Sequence, residues 1–581
     1  MIILGLNAYH GNSSACIIVD GKLLTAVEEE RFNRIKNWAG LPVQAISHCL
    51  NEAKVSIDEV DHIAINRDPK ANLSKKALFT LSKRPSFSTI ADRLKNASKI
   101  VDINSELKAY FKQDINAEFH HIEHHIAHLA STFFVSPYDE AAVLSIDGFG
   151  DFVGTMWGLG NGNKIDIKHR TFFPHSLGLF YLAFTQYLGF PNYGDEYKVM
   201  GLAPYGEASF MDQMNEVLSI KHSKDKLFEL NLSYFVHHSK GVKMSWDKGT
   251  PEMGAVYSDK LISLFDSPRK KGEELTQKHK DIAHSLQKKY EEAFFHILNK
   301  VYKKTKSTNL ALAGGCAMNS VANGKIFDET PFKEVYIQPA AGDAGGAIGA
   351  AYYVWNEILK NKRSFVLGNP YLGPHFNESD IEMVINTYKE NLADFTIKRI
   401  EDQTLLCTKT AKEIADGKVI GWFQGKMEWG SRALGNRSIL GDPRRRNMKD
   451  ILNEKIKRRE SFRPFAPSIQ VEATSQFFEI EYPAPFMLKV YKVKKSKSEQ
   501  IPAVTHVDRT GRLQTVSKEI NPLYWQLIDE FKKVTGIPIL LNTSFNENEP
   551  IVCKPEEALD CFLRTSMDIV VLGNYFIKRK Q

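Results

Sequence analysis

The sequence predicts an α/β protein of two domains, and three observations carry that prediction. The chain has 581 residues, too many for one hydrophobic core. A run of three short strands followed by a helix occurs twice before residue 190. A polar stretch with several glycines and prolines, 360–374, then separates this part from a remainder long enough to build its own core. The expected domains are therefore 1–362 and 363–581.

The elements follow in order. Ile2–Leu6, Ala15–Val19 and Lys22–Ala26 read as strands, punctuated by the turns Gly11-Asn12-Ser13 and Asp20-Gly21. A helix from Val43 to Lys54 comes next, then a short strand, Asp61–Ile65. The pattern restarts at Ala141–Asp147, Thr155–Leu159 and Lys164–Arg170, and a helix over Leu177–Leu188 follows. This duplication is the plan of the actin-like ATPase and sugar-kinase architecture, in which each half's first hairpin turns into the cleft between the halves. Small residues there let backbone come close to phosphate.

Farther on, the strand Leu310–Leu312 ends in Ala313-Gly314-Gly315, and a helix is expected from near Ala317, carrying Asn319 and Asn323. A strand, glycines and a helix in that order suit an anion at the helix N-terminus. The strand Val335–Gln338 leads into a small-residue helix that Asp343 opens, either as its N-cap or as a ligand at a strand end.

Composition excludes several classes. Hydrophobic residues make up 43% and charged residues 25%, ordinary for a folded soluble protein. A net charge of +7 is small for this length; it favours anionic ligands weakly and gives no case for nucleic acid. The six cysteines are scattered without a CxxC pair, as in a reduced, intracellular (cytoplasmic) protein. There is no run of eighteen apolar residues to span a membrane. The start, MIILGLNAYHG, lacks a basic region and reads as a core strand, not a signal peptide.

The densest chemical signal is His120-His121-Ile122-Glu123-His124-His125-Ile126-Ala127-His128, five histidines in nine residues. On a helix, His120/His124/His128 form one stripe and His121/His125 another. A third reading takes His120-x-x-Glu123-His124 as an inverted zinc-peptidase motif. Imidazoles paired on one face leave room for a carboxylate and a ligand, which suits a catalytic metal. Asp147-Gly148-Phe149-Gly150-Asp151 follows shortly after.

The second dense region is C-terminal. Gly421–Gly425 precedes Glu428, Arg432, Gly435, Asn436, Arg437 and Ser438, and then come Lys457, Arg459 and Arg463. Arginine interleaved with small polar residues suits a phosphate cradle, because guanidinium offers paired donors at fixed geometry. Arg512, and Asn542 with Ser544 after the apolar strand Ile537–Leu541, add polar groups near strand ends.

Together these segments resemble the nodulation-type O-carbamoyltransferases, a family that includes enzymes tailoring antibiotics. The resemblance spans nearly the whole chain. It rests on LNAYHGNSSA at the start, VEEERFNRIK at 27–36, HHIAH at 124–128, SIDGFGD at 145–151 and DEYKVMGLAPYG at 195–206. LAGGCAMNS at 312–320, AAGDAGGAIGAA at 340–351, GSRALGNRSIL at 430–440, FRPFAP at 462–467 and LLNTSFN at 540–546 complete it.

The resemblance implies a two-step transfer. The C-terminal domain, similar to the fold that makes threonylcarbamoyl-adenylate, would form carbamoyl-adenylate from carbamoyl phosphate and ATP with Mg²⁺. Arg432, Lys457, Arg463 and Arg512 would neutralise phosphates, with Asn542 and Ser544 as partners. The N-terminal domain would pass the carbamoyl group to a hydroxyl of a small-molecule acceptor, a secondary metabolite. His124, His128, Asp147 and Asp343 would hold about one divalent ion per chain, Fe(II) first, with manganese or zinc compatible on ligand grounds. His10 would take the hydroxyl proton, and Lys36, Gly315 and Asn319 would contact the adenylate. The acceptor pocket is expected from the spacer 207–275, and a homodimer is the assembly to test. Two competing readings are an actin-like small-molecule kinase, needing no histidine metal site, and a tRNA threonylcarbamoyl-modifying enzyme, needing a basic RNA surface.

Overall fold

A computed structural model describes residues 1–83, 102–220, 226–239, 242, 244–245 and 249–580. It divides into two units, Met1–Leu367 and Gly368–Gln581.

The first unit is built on two five-stranded sheets. In the first sheet β1 (Ile2–Asn7) pairs antiparallel with β2 (Ser14–Val19), which pairs antiparallel with β3 (Lys22–Glu28). On its other side β1 runs parallel to β4 (His62–Ile65), and β4 parallel to β5 (Glu118–His121). The sheet order is therefore 3-2-1-4-5. A strand in mid-sheet is covered on both faces, so β1 reads as an unbroken apolar run and not as an alternation.

The second sheet repeats the plan. β6 (Glu140–Gly150), β7 (Val153–Asn161) and β8 (Lys164–Phe172) form the meander, and β9 (Asn309–Ala313) and β10 (Glu334–Tyr336) lie parallel on the far side of β6. Its order, 8-7-6-9-10, is the same topology shifted by five strands. The expected duplication is thus present in all ten strands, and the unit has the actin-like α/β fold.

Helices complete each half. α1 (Val43–Ala53) joins β3 to β4, and α2 (His124–Phe133) follows β5. In the second half α3 (Leu177–Tyr187) and α4 (Gln277–Thr305) lie between β8 and β9, and α5 (Gly346–Tyr353) follows β10. α2 and α5 hold corresponding places and pack on each other. A Cβ on Gly349 would fall 1.8 Å from the carbonyl oxygen of Ala127, so only glycine permits this approach. The end of α2 is closed by Arg363, whose guanidinium donates to the carbonyls of Phe133, Phe134, Ser136 and Tyr138.

Two expectations need correction. The histidine run is not one helix. His120 and His121 lie on β5, whose ladder continues to the Ile122 N–H on Ile65, and α2 starts at His124. The helix expected from Ala317 is a 3₁₀ turn, Gly315–Met318, followed by the five residues Ser320–Gly324, too short to carry an N-terminal anion site.

The second unit carries one nine-stranded sheet. Its strands are β11 (Phe395–Arg399), β12 (Ile420–Phe423), β13 (Arg437–Gly441), β14 (Ala466–Gln470), β15 (Lys489–Lys492), β16 (Thr510–Val516), β17 (Ile539–Ser544), β18 (Ile569–Leu572) and β19 (Tyr575–Arg579). The order is 11-19-18-12-13-17-14-16-15, mixed, with β12/β18 and β14/β16 parallel. An apolar core that includes Trp422, Ile439, Leu440, Leu541 and Phe545 lies against this sheet. Among the described residues no helix is long and apolar enough to cross a membrane.

Candidate active site

In the first unit both halves send side chains to one point. The four-residue spacing within α2 puts His124 and His128 on one face. Asp147 comes from β6 and Asp343 from the turn after β10, and all four are buried. His124 Nε2 lies 3.0 Å from His128 Nε2 and 3.1 Å from Asp147 Oδ2. His128 Nε2 is 3.6 Å from Asp147 Oδ2, and Asp343 Oδ1 is 3.6 Å from both ring nitrogens.

Each carboxylate has one oxygen tied back and one turned inward. Asp147 Oδ1 accepts the Gly315 N–H at 2.8 Å. Asp343 Oδ2 meets His10 Nδ1 and the Tyr193 hydroxyl, each at 2.9 Å. Asp343 therefore does not cap the helix it opens, which removes that alternative. Its Oδ1 is buried without a hydrogen-bond partner among the described residues. Two atoms each 2.0–2.2 Å from one ion are at most ~4.4 Å apart, so all these separations fit ligands of a single cation.

The electrostatics agree with that fit. Burial opposes charge on Asp147, yet His124 and His128 hold it well below the usual carboxylate range. Burial likewise opposes charge on Asp343, but His10 and His128 hold it low. His128 is pulled down by burial and pushed up further by the two aspartates, to about 9. Two anionic oxygens beside two imidazoles form a donor set for a divalent cation.

The other histidines are placed elsewhere. His125 is buried between the Ser145 hydroxyl and the Val153 carbonyl, a structural role. His121 lies near the Arg67 carbonyl, and His120 pairs with His62. Glu123 turns to Asn72 and Arg170, so the peptidase motif is not assembled.

Around the cluster, the His10 ring centroid is 4.9 Å from that of His124. Asn319 caps its short helix and exchanges amide bonds with Gln287. Lys36 is exposed, its carbonyl bonded by Thr250. Of the spacer 207–275, residues 221–225, 240–241, 243 and 246–248 lie outside the described residues. Sequence reasoning missed Tyr193 and Asp151. Asp151 accepts the N–H of His124 and of Asp68, each at 2.9 Å, and so caps α2 from the other half. Its only sequence signal is its place in SIDGFGD.

The second unit gathers cations. Arg432, Arg459, Arg463 and Arg512 are half-buried, and burial together with the first three depresses Arg512 well below the usual arginine range. Such a convergence of like charges is suited to an anion. Lys457 is buried, its ammonium on the Ser544 and Asn546 carbonyls and the Asn546 side chain. Burial and neighbouring arginines pull it down, while three acceptors suit its three protons. Asn542 donates toward Ala433, Ser468 and Gln514. Arg437, by contrast, is a structural residue. It is buried, over the Phe423 ring, with its protons on the carbonyls of Gln424, Asn436, Pro374 and Gly425. Glu428 Oε1 accepts the N–H groups of Leu434, Asn436 and Arg437 and so shapes the arginine loop.

Comparison with known families settles the class. Residues 2–352 match the family described as Carbamoyltransferase N-terminus, and residues 411–579 match Carbamoyltransferase C-terminus. The chain belongs to the carbamoyltransferase family. This carbamoyltransferase is 41% identical to an uncharacterized protein of Synechocystis sp., covering 99% of the chain and 96% of that protein. It is 37% identical to nodulation protein NolNO of Sinorhizobium fredii, covering 99% of the chain and 80% of that protein. It is 27% identical to the 3'-hydroxymethylcephem-O-carbamoyltransferase of Amycolatopsis lactamdurans, over 78% of the chain and 79% of that enzyme. The carbamoyltransferase is a transferase enzyme.

Proposed function

We propose that the chain is an ATP-dependent O-carbamoyltransferase working in two steps. In the first, water cleaves carbamoyl phosphate to carbamate and phosphate, a carbamate oxygen attacks the α-phosphorus of ATP, and pyrophosphate leaves; Mg²⁺ would neutralise the departing pyrophosphate. In the second, an acceptor hydroxyl attacks the carbamoyl carbon and AMP leaves. Carbamate alone is a poor electrophile, and coupling to AMP supplies the leaving group. The division of labour assigns the first step to residues 363–581 and the second to residues 1–362.

One observation carries the first assignment: four half-buried guanidinium groups converge, with Arg512 depressed by burial and by the other three. Arg432, Arg463 and Arg512 would bind the phosphates bidentately. Lys457 would hold Ser544 and Asn546 against them, and Asn542 would fix the neighbouring strand.

For the second step, His124, His128, Asp147 and Asp343 would hold a divalent cation, Fe(II) first and manganese or zinc as alternatives. Such an ion supplies Lewis-acid polarisation when bound. His10, oriented by Asp343 at Nδ1, would take the hydroxyl proton through Nε2. Gly315 keeps Asp147 in place, since a Cβ there would come within 2.7 Å of Asp147 Oδ1. Asn319 would contact the adenylate, with Lys36 reaching its phosphate. The acceptor class is a hydroxylated small molecule of secondary metabolism, by analogy with what the cephem relative's name says it acts on.

The test is product analysis. Purified enzyme with ATP and carbamoyl phosphate should give AMP and pyrophosphate, and mass spectrometry with a panel of hydroxylated small molecules should find a carbamoylated product. ADP as the main nucleotide product would overturn the reading in favour of a kinase.

A further inference from the structure

A second group of ligand-bearing side chains lies apart from the α2 cluster, at the edge of the first sheet. The parallel register pairs His62 of β4 with Glu118 of β5, and Ala64 with His120. Facing residues of a parallel pair project to the same side, as do residues two apart on one strand. The register thus delivers His62, Glu118 and His120 to one face of the sheet.

The atoms meet there. His62 Nδ1 is 3.0 Å from His120 Nε2. Glu118 Oε2 is 3.6 Å from His62 Nδ1, and Glu118 Oε1 is 3.9 Å from His120 Nε2. One N–H shared between the rings would leave the carboxylate at non-bonding distance. A single cation would engage all three, because two ligands 2.0–2.2 Å from one ion can stand up to ~4.4 Å apart. His120 is 9% exposed, whereas the Glu118 side chain is 68% exposed, so one side of the group opens to water.

We propose that His62, Glu118 and His120 bind a second divalent cation of the zinc class, with water completing the coordination. Two imidazoles and one carboxylate are a nitrogen-rich set that suits zinc better than magnesium or calcium. The ion would tie edge strand β5 to β4. Because β5 runs through Ile122 and Glu123 directly into α2, it would brace the start of the helix that carries His124 and His128. Its role is structural, and the chain would hold two cations where the sequence suggests one.

The test uses the full chain, stripped with a chelator and titrated with zinc by calorimetry. His124→Ala/His128→Ala disarms the α2 cluster, and this double variant should still take up one equivalent of zinc. Adding Glu118→Gln, an exposed position that folding tolerates, should weaken that uptake at least tenfold, and adding His62→Gln should abolish it. Zinc should raise the Tm of the double variant by mass action and leave the His62→Gln triple variant unmoved. The proposal is overturned if the folded double variant takes up no zinc. It is equally overturned if the Glu118→Gln and His62→Gln variants bind zinc as the double variant does, leaving only a hydrogen bond between the two rings.

Discussion

The two halves of the first unit share one topology and differ in what they present. The first half offers nitrogen: His10 in the β1–β2 hairpin, and His124 and His128 on the helix after its last strand. The second half offers oxygen from the matching places: Asp147 where β6 enters its hairpin, and Asp343 where the chain turns into α5. A duplicated scaffold has diverged into complementary donors. At this site neither half alone supplies both kinds of donor, so the site needs the two halves packed together. Close packing of α2 on α5, with no room for a Cβ on Gly349, is what brings the donors together.

The largest test of this comparison removes one donor from each half. His128→Ala and Asp147→Asn should each lose the cation of this cluster, leaving only the one at His62, Glu118 and His120, and reduce carbamoyl transfer to background, measured by elemental analysis and product formation. Loss of a ligand should exceed the ~10–100-fold that loss of an outer partner costs in metal affinity. His121→Ala and His125→Gln leave the donor set intact and should keep the cation. If oxygen donors proved dispensable while nitrogen donors did not, the complementary reading of the halves would be wrong.

Next in size is the separation of the two steps. His10→Ala should slow transfer from supplied carbamoyl-adenylate by about 10²–10⁴-fold, the contribution of a general base, while leaving pyrophosphate release intact. Arg432→Ala should do the reverse. Its lost charge-assisted contact is worth about 1.5–3 kcal/mol. Both variants failing in both half-reactions while folded would sink the two-step division.

Much of this arrangement was legible in the sequence, and the limits have physical causes. The two meanders stood out because turns with glycine or aspartate separate the apolar strands within each, and Asp20 and Gly21 do adopt positive φ. His124, His128, Asp147 and Asp343 were reachable through motif resemblance, and the structure brings them together. The histidine run misled because spacing alone cannot say where a strand stops. β5 extends through His121 since it pairs with β4, a contact that spans more than fifty residues. The roles of Tyr193 and Asp151 were hidden for the same reason: each acts on a group far along the chain, Asp343 and the His124 N–H.

A subtler test concerns how one half supports the other. Asp151 belongs to the second half but accepts the N–H groups of His124 and Asp68 in the first. Asp151→Ala should cost about 2–3 kcal/mol, since two charge-assisted bonds are lost, one at a helix start and one to a loop N–H. It should also weaken metal affinity, whereas Asp151→Asn, which keeps an acceptor, should recover most of both. Thermal unfolding and metal titration read the two effects separately. Equal losses for alanine and asparagine would show that charge, not capping, is what Asp151 contributes.

The smallest effect contrasts a buried carboxylate in each half. Asp343 is held low by its histidines, so its contribution to stability is present at neutral pH and lost on acidification. At Glu29 burial is the dominant influence. Glu29 accepts the Ala45 N–H at 2.8 Å and the Gln44 N–H at 3.3 Å, capping α1, and burial pushes it up to about 7. The folded state therefore binds a proton that the unfolded chain releases near pH 4.5. The stability that Glu29 confers is complete below that pH and is lost as pH rises through about 7. Glu29→Gln cannot titrate, so its stability should change less across this window. Relative to it, the wild type should lose about 1–2 kcal/mol between pH 5 and pH 8, seen in denaturant melts at both values. The absolute stability of Glu29→Gln is not the readout, because its amide must turn one N–H toward Gln44. Parallel pH profiles for the two proteins would mean that water reaches this carboxylate and that α1 is capped by an ordinary ionised glutamate.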